Sequence, residues 1–302
     1  MNGKISNRAQ VCSVRRYTLA EGRAKGLDVI DCDNGKIRFL LNVTKALDVM
    51  QLYHKGCNVS FLSKNAFVKD NLNFLRRFEG GMLYTCGLDS VGGREGYELH
   101  GNLHNIPAEV IRAEANDDGI VVEADIYDTA LFGQNLVLRR KVTAKVGSDD
   151  FTVEDTLKNT AYRPENYCLL YHVNVGYPML DAGATVEMDV ASVTPRNEWS
   201  AQNEARRTLI GENVDNEDET AYFLKLAVPK ATLKNEKLGK AFTLSYSAET
   251  LPCFVQWNSM ASGDYALGFE PCTTYLDDKF AYQTLGAGES VTFQLHFEVK
   301  DI

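Results

Sequence analysis

Apolar and polar residues alternate along most of this chain with a period of two. Val291, Phe293, Leu295, Phe297 and Val299 are interleaved with Thr292, Gln294, His296 and Glu298, which predicts a strand with one buried and one wet face. Phe151, Val153 and Leu157 repeat the pattern ahead of Lys158-Asn159. So do Tyr222, Leu224, Leu226 and Val228, a run that Pro229 is expected to end. Lys36 to Val43, Ile120 to Tyr127 and Leu136 to Val146 are β-rich and bounded by Gly, Asp or Asn. Helical patterning is sparse. Thr44 to His54 reads as one or two helical turns, and Ala201 to Ile210 as another weak helix. Many short strands and few helices predict an all-β protein of large stacked antiparallel sheets rather than alternating βα units.

The 302 residues correspond to two domains at about 150 residues each, yet a β-sandwich of this length can be one domain. With no repeat, low-complexity tract or Pro/Gly/Ser-rich linker, the reading is a single domain over residues 1–302. Asp and Glu number 41 against 32 Lys and Arg, a net charge of −9. That balance argues against nucleic acid or an anionic membrane as partner, since both call for a basic surface. No apolar run is long enough to span a bilayer, and the arginine-bearing N-terminus does not resemble a secretory signal. The seven cysteines are scattered and form no Cys-x-x-Cys pair, which fits buried thiols in a reducing cytoplasm better than zinc or a disulfide framework. The sequence leaves oligomeric state open.

Three segments hold candidate chemistry. The first runs from Phe78 through Gly80-Gly81 and Thr85-Cys86-Gly87-Leu88-Asp89 to His100-Gly101-Asn102-Leu103-His104-Asn105-Ile106-Pro107. His100 and His104 have the i, i+4 spacing of a helical metal pair, but Gly101, Asn102, Asn105 and Pro107 argue against a helix, so no metal is expected there. Either histidine can instead serve loop backbone. The second is Tyr171-His172-Val173-Asn174-Val175-Gly176-Tyr177-Pro178, near the end of a hydrophobic strand, where alternation puts His172 and Asn174 on one face. The third is Gly268-Phe269-Glu270-Pro271, where a carboxylate ends an apolar run and must find partners or shift its pKa. Alone, Glu270 reads equally as a turn cap before Pro271. The acidic segment Glu212 to Glu219 lacks the ligand alternation of a calcium loop and reads as a solvated connection. No nucleophile elbow, Walker loop or dinucleotide fingerprint is present.

Together these motifs carry a resemblance. Gly80-Gly81-Met82-Leu83-Tyr84-Thr85-Cys86-Gly87-Leu88-Asp89 resembles the GG-L-TCGLD signature of the aldose 1-epimerase-like family catalogued as DUF4432. Leu99 to Glu109 is similar to its LHG-x-x-x-N-x-PAE segment, Tyr171 to Pro178 to its YH-N-GYP segment, and Gly268 to Pro271 to its G-x-EP motif. Ala46-Leu47-Asp48-Val49 and Lys55-Gly56 match in order and spacing, so the resemblance spans nearly the whole chain. Asn102 stands where the family often has arginine.

The resemblance implies a galactose mutarotase-like β-supersandwich that needs no metal or cofactor and acts on a small-molecule carbohydrate. It implies His172 as the acid that protonates the ring oxygen, Glu270 as the base that takes the anomeric proton, and His100 as a second histidine beside the ring oxygen. It also implies Arg77, with Arg76 competing, as a sugar-binding arginine, and Asp89, Asn105, Asn174 and Trp257 as further sugar contacts. A stacking role for Trp257 competes with a core role. A non-catalytic sugar-binding protein on the same scaffold is the alternative reading. A lyase or hydrolase on a related sandwich is a third reading; a hydrolase usually presents two carboxylates, and Asp89, Glu98 or Glu109 could serve as the partner of Glu270. Arg77, Arg94 and Arg196 are the arginines that could bind an acidic substituent.

Overall fold

The computed structural model describes residues 3–302, leaving the first two residues of the expected single-domain span outside it. Among the described residues, one sheet has 13 strands, a second has 5, and a two-stranded pair, Phe61–Leu62 with Gly80–Gly81, lies apart. All strand pairing within these sheets is antiparallel, and the architecture is that of stacked sheets with few, short helices. The alternation read at the C-terminus is a strand, Ser290–Asp301, with Phe293, Leu295, Phe297 and Val299 buried.

The smaller sheet runs Ser13–Thr18, Asp28–Asp33, Ile37–Asn42, Asp48–His54, Cys57–Asn58 in both sequence and space. It packs on the large sheet through one continuous apolar core. Phe39 of the small sheet stacks on Phe151 of the large one at 4.7 Å between ring centroids, and Phe151 stacks on Phe297 at 4.5 Å.

Two helical expectations change. Thr44 to His54 is a turn followed by the strand Asp48–His54, because Asp48, Val49 and Leu52 pair in register with the neighbouring strand Ile37–Asn42. Tertiary pairing outweighs the weak helical pattern. Ala201 to Ile210 is helical only in part: an α-turn spans Glu198–Gln202 and a 3-10 turn Glu204–Arg207. Pro229 does not end its strand, which runs Thr220–Asn235. Its partner on one side is Cys253–Ser259 up to Leu224 and Lys240–Tyr246 from Lys230 onward. Pro229 occupies the gap between these two ladders, where its missing N–H leaves no hydrogen bond unmade.

A charged cluster is enclosed between the two sheets. Arg140 is fully buried and uses all its N–H groups: two on Asp155 at 2.9 and 2.7 Å, one on the Ala46 carbonyl at 3.0 Å, one on Asp48, and one on Thr85 Oγ1 at 2.9 Å. Asp48 also accepts from Thr85 N at 2.7 Å and Thr85 Oγ1 at 2.5 Å, and Tyr171 donates to Asp155 at 2.8 Å. Burial alone would raise the Asp48 carboxyl, but Arg140, His104 and Thr85 hold it below the ordinary carboxylate range. Asp48→Ala is expected to cost about 3–5 kcal/mol, because it strands a buried guanidinium. Asp117→Ala, which breaks the exposed pair with Arg8, is expected to cost about 0–1 kcal/mol. Urea denaturation of both variants checks this; equal costs would show that the cluster does not hold the sheets.

Candidate active site

Strand register builds the centre of the site. The strand Glu165–Gly176 pairs with Ala266–Cys272 through Leu170↔Cys272 and Val173↔Phe269, which sets His172 directly across from Glu270. His172 Nε2 lies 3.3 Å from Glu270 Oε1. On the other side of Ala266–Cys272, the strand Cys253–Ser259 pairs Val255 with Glu270 and Trp257 with Gly268. A Cβ at position 268 would stand 2.6 Å from Glu270 Oε1 and 3.2 Å from the Trp257 side chain, so glycine there makes room for both. His172 lies within the strand rather than at its end, four residues before Gly176. It is inward-facing, in contact with Phe78 and Trp257 at ring-centroid distances of 5.3 and 5.4 Å.

His100 approaches from a loop. Its backbone has φ 62°, a left-handed conformation unusual for a residue with a side chain. The loop is cross-tied at this point: His100 N donates to the Gly92 carbonyl, and Gly92 N donates to His100 Nδ1 at 3.3 Å. Nδ1 is thus an acceptor, leaving the proton of the neutral ring on Nε2. The imidazoles of His100 and His172 meet edge to face at 5.7 Å, and Phe74 contacts His100 at 5.0 Å.

His100, His172, Trp257 and Glu270 line one cavity of about 710 Å³, with Phe74 and Phe78 among its walls. That volume suits a small polar molecule such as a sugar ring. Burial lowers His172 to about 3, with His100 adding to the effect, and burial lowers His100 to about 4. Both rings are therefore neutral near pH 7. The Glu270 carboxyl is pushed well above its ordinary value by burial first and by the charge of Glu219 second. Glu270 Oε1 and His172 Nδ1 have no hydrogen-bond partner and are buried.

None of the remaining expected sugar contacts lines this cavity. Arg77 is buried and bonds the Leu72 carbonyl and Glu98, while Arg76 is exposed. Asp89 accepts from the backbone and side chain of Asn102 at 3.2 and 3.1 Å, and Asn105 accepts from Lys45 at 3.1 Å. Asn174 donates to the carbonyls of Gly80 and His172 at 3.3 and 2.9 Å. Neither Glu98 nor Glu109 lines the cavity, so of the candidate second carboxylates none faces Glu270. His104 belongs to the buried charged cluster: Nδ1 is 2.6 Å from Asp48 and Nε2 is 3.3 Å from Glu79. Among the described residues no group of side chains has the makings of a metal site.

The acidic segment before Thr220 is not simply solvated. Glu217, Asp218 and Glu219 line the cavity. Glu217 pairs with Arg206, the Asp218 carbonyl accepts from Trp199 Nε1 at 3.0 Å, and Glu219 bonds Arg196 at 2.7 Å and Trp257 Nε1 at 2.6 Å. Sequence reasoning missed this wall because a charge run carries no mark of the arginines and indoles that fold against it.

The architecture is shared with solved proteins. The chain matches a candidate aldose 1-epimerase from Klebsiella pneumoniae at 20% identity and TM-score 0.88, over 95% of this chain and 83% of that one. A galactose mutarotase-like protein from Clostridium acetobutylicum matches at 14% identity and TM-score 0.71, over 97% and 100%. One from Lactobacillus casei matches at 16% and 0.63, over 90% and 100%. The fold is therefore galactose mutarotase-like. No curated protein matches the sequence. The chain belongs to the DUF4432 family, a domain of unknown function, whose model matches residues 24–299.

The electrostatics yield a stability test. A carboxyl raised in the folded state favours folding below the unfolded pKa and loses that contribution as pH rises through the folded one. Glu270→Gln removes that loss. The variant is expected to melt higher than the parent at about pH 7, with the gain shrinking toward about pH 4, where the unfolded carboxyl is also largely protonated. Calorimetry across this range reads the difference; a variant less stable at neutral pH would show that Glu270 is ionised and satisfied.

Proposed function

We propose that the protein is an aldose 1-epimerase-like enzyme that interconverts the α and β anomers of a sugar, with His172 and Glu270 as its acid and base. The observation that carries this reading is the 3.3 Å approach of His172 Nε2 to Glu270 Oε1, a buried carboxyl oxygen with no hydrogen-bond partner, in a sugar-sized cavity lined by Trp257. The fold family supports it. Ring opening needs a proton delivered to the ring oxygen and one removed from the anomeric hydroxyl. His172 delivers the first, Glu270 takes the second, rotation about C1–C2 turns the aldehyde, and reversal of both transfers closes the ring on its other face. His100 Nε2–H hydrogen-bonds near the ring oxygen.

Burial inclines the Glu270 carboxyl to keep its proton and the His172 imidazole to stay neutral, the reverse of the state that begins this sequence. A proton must cross the 3.3 Å gap. A sugar hydroxyl donating to Glu270 stabilises the carboxylate and lowers its pKa, so substrate binding itself favours the transfer. No step draws on a metal or cofactor. The seven cysteines are all free, which supports a reducing, cytoplasmic setting. No helix among the described residues is long and apolar enough to cross a membrane.

NMR exchange between anomers, run with purified protein over a panel of aldoses, is the test. His172→Ala and Glu270→Gln are each expected to lower the accelerated rate by about 10²–10⁴-fold while circular dichroism is unchanged. Full activity in both variants would end this assignment. Sugar binding with no acceleration in the parent protein would favour a sugar-binding role.

A further inference from the structure

The cavity wall contains a three-residue chain that the acid–base pair does not use. Glu219 spends one carboxylate oxygen on each of two neighbours: Oε1 accepts from Arg196 at 2.7 Å, and Oε2 accepts from Trp257 Nε1 at 2.6 Å. All three residues line the cavity. The segment that carries Glu219 is itself braced, by Glu217 on Arg206 and by the Asp218 carbonyl on Trp199.

Two consequences follow. The indole N–H is bonded to Glu219, so the ring that lines the cavity is held at 73° to the His172 imidazole. Arg196 is also paired, and the other lining cation, Lys64, is paired with Asp264 at 2.6 Å, both in solvent-exposed ion pairs. With both histidines neutral, no unpaired cation among the described residues lines the cavity, while Asp218 adds a carboxylate with no ion-pair partner among them. A phosphate or carboxylate on a sugar would meet net negative charge and no free guanidinium.

We propose that Glu219 is the specificity-determining residue of this cavity: by occupying Arg196 and fixing Trp257, it confines the site to pyranoses without an anionic substituent. This rests on the cavity being a sugar site, the reading proposed above. Glu219 itself takes up no proton, although its charge also helps to raise the Glu270 carboxyl. Glu219 is a positioning residue, acting through Arg196 and Trp257.

Two variants separate its two contacts. Glu219→Gln keeps an oxygen for the indole N–H but removes the charge that holds Arg196. Glu219→Ala removes both. The probes are glucose, galactose, their uronates and their 6-phosphates, followed by NMR anomer exchange and by saturation-transfer NMR for binding, at low and high salt. The parent protein is expected to favour the neutral sugars. Both variants should shift the anionic-to-neutral ratio of kcat/KM by about 10-fold toward the anions, an effect that weakens with salt as exposed charges are screened. Only Glu219→Ala should also raise KM for the neutral sugars, with a changed tryptophan emission, since only it frees the ring.

An unchanged ratio in both variants, or a parent protein that prefers anionic sugars, would overturn the proposal. If no sugar exchanges faster in the parent, the epimerase reading fails by itself. The binding ratio, measured without turnover, then still decides the role of Glu219: a shift toward anions in the variants supports it, and no shift overturns it.

Discussion

The charged cluster centred on Asp48 and Arg140 is the constraint on which the rest of the molecule depends. An arginine with no exposed surface is tolerable only if each of its N–H groups has an acceptor and its charge is balanced. Meeting that demand recruits residues from both sheets: Asp48 and the Ala46 carbonyl from the smaller sheet's side, Asp155, Thr85 and Tyr171 from the larger. An apolar interface could slide by a residue pair at modest cost. This one cannot, because any slip would leave a buried charge without its partner. Tyr171 carries the constraint to the site, since its chain neighbour His172 faces the other way, into the cavity.

The cavity is in tension with folding. Burial inclines the Glu270 carboxyl to keep the proton it would lose in water, and makes the His172 and His100 imidazoles harder to protonate than in water. Each such group weakens the fold relative to an apolar replacement of the same shape. His172 sits on a strand that is buried and paired on both sides, and Glu270 on its fully buried neighbour, so the surrounding sheet bears this cost. Poised proton donors and acceptors are obtained by withholding the partners that would satisfy them, and this site withholds them at Glu270 Oε1 and His172 Nδ1.

Strand identity was legible wherever alternation ran long, as at Val291 to Val299, because period-two burial is a local property. The approach of His172 and Glu270 was legible only through motif resemblance. Residues 172 and 270 meet because of a register between two distant strands, and nothing local to either segment states it. Local patterning misled at Thr44 to His54, where weak helical spacing lost to sheet pairing, and at Pro229, whose missing N–H falls in a gap between two ladders. Arg77, Asp89, Asn105 and Asn174 lie in motifs that border the site, yet their side chains turn to backbone and to one another's neighbours. A motif fixes which residues are near, while each side chain's direction depends on what else it can bond.

By itself, the sequence determined the class of protein: apolar alternation with few helical segments admits stacked antiparallel sheets, and the ordered glycine, histidine and glutamate motifs mark the family. Those are properties of short segments, governed by backbone preference and burial. The tertiary structure decided which histidine of His100 and His104 joins the cavity and which the buried cluster. It also decided that an acidic run becomes a cavity wall holding Arg196 and Trp257. Both outcomes depend on charges brought together from strands and loops far apart in the chain, and in the buried cluster Coulomb and hydrogen-bond energies are large because water is excluded.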